Sequence, residues 1–303
     1  MPNVPENTPR DKQRARFGVR ILCGDSRESL LSVLPDSVQT CVTSPPYFGL
    51  RDYGHAGQIG REQTVAEYVE ALVVVFREVR RVLRDDGTLW LNLGDSYAAN
   101  GGAPNGLKPK DLIGVPWRVA FALQADGWYL RQDIIWAKPN PMPESVTDRC
   151  TKAHEYLFLL AKSERYYFDH EAIKEPAVHA GRVLDYTGDQ KANRSDEKLQ
   201  RTLPKGRVIT VGPTRNKRSV WTIATKPYKG AHFATFPETL VEPCLLAGSR
   251  PGDVVLDPFA GSGTVLALAA RHDRDAIGCE LNPEYVSLIR ERMGVFGCRV
   301  EAP

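Results

Sequence analysis

The 303-residue chain has 42% hydrophobic and 25% charged residues, an ordinary balance for a globular protein with a large core. Its formal net charge of +3 is too small to indicate nucleic-acid binding by itself. No apolar run reaches the roughly 18 residues of a membrane span, and the polar N-terminal residues lack a signal-peptide core, so we expect a cytoplasmic protein with no membrane partner.

The six cysteines are scattered and include no C-x-x-C pair. This spacing predicts neither a zinc site nor a disulfide framework, so no metal is expected. Pro243-Cys244 is the only Pro-Cys pair and falls in a predicted helix. We interpret Cys244 as a structural residue rather than as a nucleophile.

Apolar periodicity predicts alternating strands and helices after a flexible N-terminal arm at 1–18. In chain order the segments are strand 19–23, helix 26–34, strand 38–42, helix 64–83, strand 88–93, helix 116–125, a hairpin of 128–136 with 155–160, a helix ending at 248, strand 253–257, helix 265–271 and strand 276–280. Asp25 follows the first strand, at the edge where α/β proteins bind ligands, and is either a helix cap or a cofactor contact.

The segment Thr43-Ser44-Pro45-Pro46-Tyr47 predicts a rigid loop at the end of a buried strand. Two prolines fix φ and remove two backbone donors, so the carbonyls of Ser44 and Pro45 are held outward and can accept hydrogen bonds from a ligand. With the Ser44 hydroxyl and the Tyr47 ring, they suit a flat ring that carries an exocyclic amino group. By itself, such a triplet is more often a proline-stiffened turn.

Residues 177–219 carry ten basic against four acidic side chains. A local basic excess is expected of a segment that follows phosphates, although a solvated insertion has the same composition. Lys138 and Asn140 lie in a proline-rich link from which they can reach a phosphate or a base edge. A plain surface loop is the alternative for that link.

The run from Asp257 to Thr264 is a glycine-rich turn between a strand and a helix, and the next strand ends at Glu280. This is the βαβ unit of a doubly wound sheet, in which the acid after the second strand binds ribose hydroxyls. Leu266 replaces the third glycine of the dinucleotide fingerprint, and no P-loop lysine follows. The turn therefore predicts a nucleoside without a pyrophosphate, and the positively charged S-adenosylmethionine suits its acidic character.

Asp-Pro-Phe-Ala-Gly-Ser-Gly-Thr at 257–264, downstream of Thr-Ser-Pro-Pro-Tyr at 43–47, resembles the DNA amino-methyltransferases of the β arrangement, in which the catalytic motif precedes the cofactor motif. The resemblance covers nearly all of 19–293. It implies a doubly wound, Rossmann-like α/β fold that uses S-adenosyl-L-methionine, with a catalytic domain at 19–303 and an inserted target-recognition region at about 177–219.

The same resemblance implies roles for individual residues. The catalytic residues would be Ser44, Pro45, Pro46 and Tyr47. Of these, Ser44 and Pro45 would hold the target amine, and Tyr47 would stack on a base flipped out of double-stranded DNA. The cofactor-binding residues would be Asp25, His232, Phe233, Thr235, Phe236, Pro237, Asp257, Pro258, Phe259, Gly261, Ser262, Gly263, Thr264, Glu280, Leu281 and Asn282. The residues expected to contact DNA are Arg51, Lys138, Asn140, Lys205, Arg207, Arg215, Lys217 and Arg218.

Ser44 at the first motif position favours N4 of cytosine as the methylated atom, since the family more often combines Ser with cytosine and Asp with adenine. N6 of adenine is the alternative. Two other interpretations stay open, a DNA-binding protein that has lost turnover and an α/β oxidoreductase, although the missing third glycine counts against the latter. A homodimer and a cognate restriction endonuclease are further partners that the resemblance leaves open.

Overall fold

The computed structural model describes residues 18–52, 54–55, 57–98, 107–185, 208–225 and 237–301. The chain divides into two compact units, one formed by Met1–Asp169 with Ser219–Pro303 and the other by His170–Arg218. Among the residues so described, none of the helices combines the length and the apolar composition that crossing a bilayer requires.

Thirteen strands lie in the described residues. They are β1 (Val19–Cys23), β2 (Val38–Thr43), β3 (Leu83–Leu93), β4 (Tyr129–Ala137), β5 (His154–Ala161), β6 (Glu175–Pro176), β7 (Val183–Asp185), β8 (Val208–Thr210), β9 (Thr214–Arg215), β10 (Val220–Thr222), β11 (Val254–Asp257), β12 (Asp275–Glu280) and β13 (Arg299–Glu301). The larger unit contains a nine-stranded sheet of order β10-β4-β5-β3-β2-β11-β12-β1-β13. Only β5 runs antiparallel to its neighbours within this sheet.

Six α-helices are described. They are α1 (Ser26–Ser29), α2 (Val65–Val82), α3 (Val115–Ala125), α4 (Glu238–Gly248), α5 (Thr264–Arg271) and α6 (Pro283–Met293). Thr64 begins α2 with a capping box, because its hydroxyl accepts from Glu67 N while the Glu67 carboxylate accepts from Thr64 N. Helix α2 packs with α3, and α4 packs with α5. The predicted doubly wound, Rossmann-like α/β fold is confirmed.

Two local predictions were wrong. The first helix is shorter than predicted, since α1 passes into a 3-10 helix at Leu30–Ser32. The strand predicted at 88–93 begins earlier, at Leu83, so that Asp86 and Gly87 lie inside β3, where the pairing with β2 jumps from Val38–Leu83 to Thr40–Thr88. A Cβ at Gly87 would lie 2.9 Å from the Arg84 carbonyl oxygen, so only glycine fits the close backbone packing at this irregularity.

The smaller unit contains two short antiparallel pairs, β6 with β9 and β7 with β8. Glu175 on β6 accepts hydrogen bonds from Arg215 Nε at 2.8 Å and from Arg218 Nε at 2.6 Å. These bonds, with that to Arg218 the strongest, lower the pKa of Glu175. The carboxylate thus ties together two of the basic residues predicted to contact DNA.

Candidate active site

Four neighbouring parallel strands end in predicted site residues. Strands β2, β11, β12 and β1 are consecutive in the sheet and pair in parallel. Ser44 follows β2, Asp257 ends β11, Glu280 ends β12 and Asp25 follows β1. Because doubly wound sheets bind ligands at the carboxyl ends of their strands, this edge is the candidate active site.

A buried hydrogen bond joins the two predicted motifs. The Thr43 hydroxyl donates to Asp257 Oδ1 at 2.6 Å, although the two residues are 214 positions apart in sequence. The strands that carry them pair through Val255–Thr40 and Leu256–Cys41. The serine–diproline corner (Ser44–Tyr47) and the glycine-rich turn (Asp257–Thr264) are therefore contiguous.

The glycine-rich turn needs its glycines for conformation and for space. Gly261 and Gly263 have φ of +53° and +75°, in the left-handed region that favours glycine. A Cβ at Gly263 would also lie 2.9 Å from Ile289 Cγ2. These constraints hold the turn close to α6 and leave its backbone accessible to a ligand.

Arg292 on α6 stabilises the same turn through hydrogen bonds to Ser262 and Thr264. Its Nη1 donates to Thr264 Oγ1 at 2.8 Å, to Ser262 Oγ at 3.0 Å and to the Ser262 carbonyl at 3.2 Å. The Ser262 and Thr264 hydroxyls are almost fully buried. Both hydroxyls, which were predicted to bind cofactor, already have a partner within the protein.

Two buried carboxyl groups flank the turn, and both have raised pKa values. Burial raises the pKa of Asp257 to about 7, against the opposing effect of the Thr43 hydroxyl and the Phe259 N–H. Burial likewise raises the pKa of Glu280 to about 7, although its carboxylate accepts from Gly261 N at 2.7 Å and Asn282 N at 2.9 Å. A positively charged ligand at this edge would stabilise the ionised form of both.

Asp25 caps α1, which was one of its two predicted roles. Its Oδ1 accepts from Arg27 N at 2.9 Å, and its carboxylate pairs with the Arg27 guanidinium. Burial acts to raise the pKa of Asp25, but the hydrogen bonds and charge of Arg27 outweigh it and the pKa is lowered. Arg27 also donates to the Gly57 carbonyl at 3.0 Å, which ties the loop after the corner to this edge. The other predicted role of Asp25, as a cofactor contact, stays a prediction.

The backbone carbonyls of the serine–diproline corner differ in their hydrogen bonding. The Pro46 carbonyl accepts from the Tyr68 hydroxyl at 2.8 Å, so it is engaged within the protein. Within the described ranges, the Pro45 carbonyl has no hydrogen-bond donor. Pro45 is buried, whereas Ser44 is half-buried at the edge of the sheet. The corner therefore has one carbonyl without a donor in the described residues and one half-buried hydroxyl.

Tyr47 is anchored by residues that the sequence analysis did not identify. Its hydroxyl lies 2.7 Å from Glu155 Oε2 and 3.2 Å from Asn92 Oδ1. Its ring packs on Gly94, where a Cβ would lie 2.5 Å from Tyr47 Cε2. Asn92 had a signal in the sequence, since it is a polar residue within a strongly apolar strand, whereas nothing distinguished Glu155. The stacking of Tyr47 on a base stays a prediction.

Two residues expected to contact DNA have partners within the larger unit. Lys138 forms an ion pair with Glu155, in which the two side chains are only 17% and 15% exposed. Asn140 Nδ2 donates to the Thr225 carbonyl at 3.1 Å, and Asn140 Oδ1 accepts from Thr225 N at 2.9 Å. Both residues therefore fix the link between β4 and β5. Arg51 is half-buried in the loop after the corner.

Several predicted site residues lie outside the described ranges, namely His232, Phe233, Thr235, Phe236, Lys205 and Arg207. Pro237, the last of the segment expected near the methionine end of the cofactor, directly precedes α4. Cys244 is fully buried in α4. In the parts of the chain that are described, no cluster of three His, Cys, Asp or Glu side chains has the arrangement of a metal site.

The proteins to which this chain is similar include DNA methyltransferases. The family model of N6/N4 methyltransferases, described as DNA methylases, matches residues 38–291. The Type II methyltransferase M.SmaI of Serratia marcescens is 50% identical over 293 residues, which cover 90% of this chain and 90% of the relative.

Solved structures agree. The Thermus thermophilus protein TTHA0409, in complex with S-adenosyl-L-methionine, superposes with a TM-score of 0.62 at 27% identity, covering 93% of this chain and 98% of that one. The cytosine-N4-specific PvuII DNA methyltransferase, at 22% identity, shares the fold with a TM-score of 0.64 and coverage of 91% and 86%.

The fold and the family match together define an S-adenosylmethionine-dependent methyltransferase of the α/β class. The chain belongs to the N6/N4 DNA methylase family and is a DNA amino-methyltransferase.

Proposed function

We propose that the chain transfers a methyl group from S-adenosyl-L-methionine to the N4 amino group of a cytosine in double-stranded DNA. The observation that carries this proposal is the hydrogen bond between Thr43 and Asp257, 2.6 Å long, which makes the two motifs contiguous. One motif suits a nucleoside cofactor and the other suits an exocyclic amine, so their contact suits transfer between the two.

The residues of the glycine-rich turn fit this cofactor. When bound, it supplies a methyl group on a positively charged sulfur. Glu280 is suited to ribose hydroxyls, because each of its oxygens keeps acceptor capacity beyond its backbone N–H partner. Asp257 adds a second carboxyl at the turn, and Phe259, Gly261 and Gly263 shape it. The segment at 232–237 would hold the methionine end.

Ser44 and Pro45 supply the acceptors for the target amine. An aromatic amine is a weak nucleophile because its lone pair is delocalised into the ring. Accepting hydrogen bonds from both N–H groups, through Ser44 Oγ and the Pro45 carbonyl, favours a pyramidal nitrogen whose lone pair is free to attack. As the nitrogen–methyl bond forms, the bond from the methyl carbon to the cofactor sulfur would break, and the nitrogen would then release one proton to solvent. Catalysis then depends on positioning and on electrostatics. The target base must leave the duplex to reach this corner, where the Tyr47 ring would stack on it.

The basic region at about 177–219 would contact the DNA. Its Arg215, Lys217 and Arg218 lie in the smaller unit, and Lys205 and Arg207 belong to the same region. Phosphate contacts of this kind supply salt-dependent affinity and orient the duplex without reading its sequence. We further propose a cognate restriction endonuclease, supported by the Type II names of the relatives, and a homodimer, which sedimentation of the purified protein would test.

The experiment that tests the function is methylation of duplex DNA with labelled S-adenosylmethionine, followed by digestion to nucleosides. We expect label in N4-methyldeoxycytidine, and much slower labelling with Ser44→Ala. Label in N6-methyldeoxyadenosine would show that the target base is adenine rather than cytosine. The choice of cytosine is based on Ser44 alone. Label absent from DNA but present on RNA or protein would overturn the proposal.

A further inference from the structure

A cluster of polar side chains lies behind the serine–diproline corner. The Tyr47 hydroxyl is at its centre, 2.7 Å from Glu155 Oε2 and 3.4 Å from Ser44 Oγ. Asn92 Nδ2 donates to Glu155 Oε2 at 3.2 Å and to the Tyr156 carbonyl at 3.1 Å. The cluster thus reaches from the strand pair β3–β5 to the hydroxyl that would hold the target amine.

Lys138 determines the hydrogen-bonding character of Glu155. Its ammonium group pairs with Glu155 Oε1 and also lies 4.3 Å from the centre of the Trp136 ring. A carboxylate that is ion-paired with an ammonium group accepts hydrogen bonds and donates none. In its hydrogen bond with the Tyr47 hydroxyl, Glu155 can therefore only be the acceptor.

A count of protons then gives the direction of the two bonds that join Tyr47 to Glu155 and to Ser44. Tyr47 has a single hydroxyl proton, and the shortest of its contacts is the one with Glu155. Its oxygen is left to accept a proton from Ser44 Oγ, which is the direction of that contact. Burial and the nearby Glu155 both raise the pKa of Tyr47, so the phenol keeps its proton. The Ser44 hydroxyl thus donates to Tyr47, and its oxygen keeps the capacity to accept a further hydrogen bond.

We propose that Glu155 and Lys138 are positioning residues, which act through Tyr47 to orient the Ser44 hydroxyl as a hydrogen-bond acceptor for the target amine. The proposal rests on the proposed function, because it explains why Ser44 accepts. A serine free to rotate would present its proton to the amine part of the time and would oppose the hydrogen bond that activates the nitrogen. Because the Ser44 hydroxyl is already oriented before the amine binds, it does not have to rotate during the reaction.

This inference gives Lys138 a different role from the DNA contact that its position in the link predicted. It also separates two roles of Tyr47, since the ring can stack on a base while the hydroxyl orients Ser44. Tyr47→Phe keeps the ring and removes only the hydroxyl. Glu155→Gln keeps the size of the side chain but gives it an amide that can donate to Tyr47 and reverse the bond direction.

The test is single-turnover methyl transfer to duplex DNA by Glu155→Gln and Tyr47→Phe, each with and without Ser44→Ala. We expect both variants to slow the methyl-transfer step by roughly 10- to 100-fold, with unchanged affinity for S-adenosylmethionine. In the Ser44→Ala background, where no hydroxyl remains to be oriented, each should slow the residual rate by less than about twofold. Lys138→Met should resemble Glu155→Gln.

The matched control is Asp126→Asn, since the Asp126 side chain is also 15% exposed and ion-paired, with Arg77. It should leave the rate unchanged. Equal losses of rate in the presence and absence of the Ser44 hydroxyl would overturn the inference, as would full activity of Glu155→Gln. If Glu155→Gln does not fold, Tyr47→Phe decides by the same comparison. A wild-type protein that methylates no DNA base would instead contradict the proposed function.

Discussion

The buried carboxyl group of Asp257 should make the protein without cofactor less stable as pH rises from 6 to 8. Burial raises its pKa from 3.8 to about 7, whereas an aspartate of the unfolded chain is ionised throughout this range. At pH 6 the folded state therefore holds a proton that the unfolded state has lost. Because the folded state binds more protons, the free energy of unfolding falls as pH rises.

The size of the effect follows from the pKa. With a folded pKa of about 7, the ionised fraction rises from about one-tenth at pH 6 to about nine-tenths at pH 8. Integrated over this interval, the difference in bound protons lowers the free energy of unfolding by about 1 kcal/mol. Asp257→Asn should remove this contribution, because the amide does not titrate while its oxygen can still accept from Thr43 and Phe259.

Urea unfolding of the cofactor-free protein at pH 6, 7 and 8 measures this difference. Between pH 6 and 8, the free energy of unfolding should fall by about 1 kcal/mol more for wild type than for Asp257→Asn. Asp85→Asn is the control, since the Asp85 side chain is 95% exposed, and its pH dependence should parallel that of wild type. Parallel curves for wild type and Asp257→Asn would refute the reasoning.

Three further predictions concern the corner, the turn and the basic region. Gly94→Ala would place a Cβ 2.5 Å from Tyr47 Cε2, so methyl transfer should fall by about tenfold or more while calorimetry finds S-adenosylmethionine affinity retained; an unchanged rate would contradict the tight packing. Gly263→Ala, at φ +75° and 2.9 Å from Ile289, should cost about 1–3 kcal/mol in urea unfolding, and a stable variant would show that the turn adapts. Replacing Lys205, Arg207, Arg215 and Lys217 by alanine should weaken DNA binding and leave cofactor affinity intact. The slope of log K against log salt concentration should become shallower by about 0.9 per lost phosphate contact, and an unchanged slope would count against the role of these residues.

The sequence predicted the parts of the molecule whose signals are local. The glycines and the acid of the βαβ unit follow one another within one supersecondary structure, so the pairing of β11 with β12 could be expected. The hairpin of β4 with β5 was predicted for the same reason, and it is confirmed.

The interior of the candidate site could not be predicted, because it depends on which strands become neighbours. Asn92 meets Glu155 only because β3 pairs antiparallel with β5, with Asn92 opposite Leu157. Thr43 meets Asp257 only because β2 lies beside β11. Neither register can be derived from the period of the apolar residues. The same limit explains why the ion pair between Lys138 and Glu155 could not be predicted.

A crystal structure with a cofactor analogue and duplex DNA tests most directly whether the two motifs form one site. We expect the flipped base to place its amino nitrogen against Ser44 Oγ and the Pro45 carbonyl, at about 3–3.5 Å from the position of the transferable methyl group. An analogue whose reactive end lies away from Ser44, or a target base held elsewhere on the protein, would contradict the account.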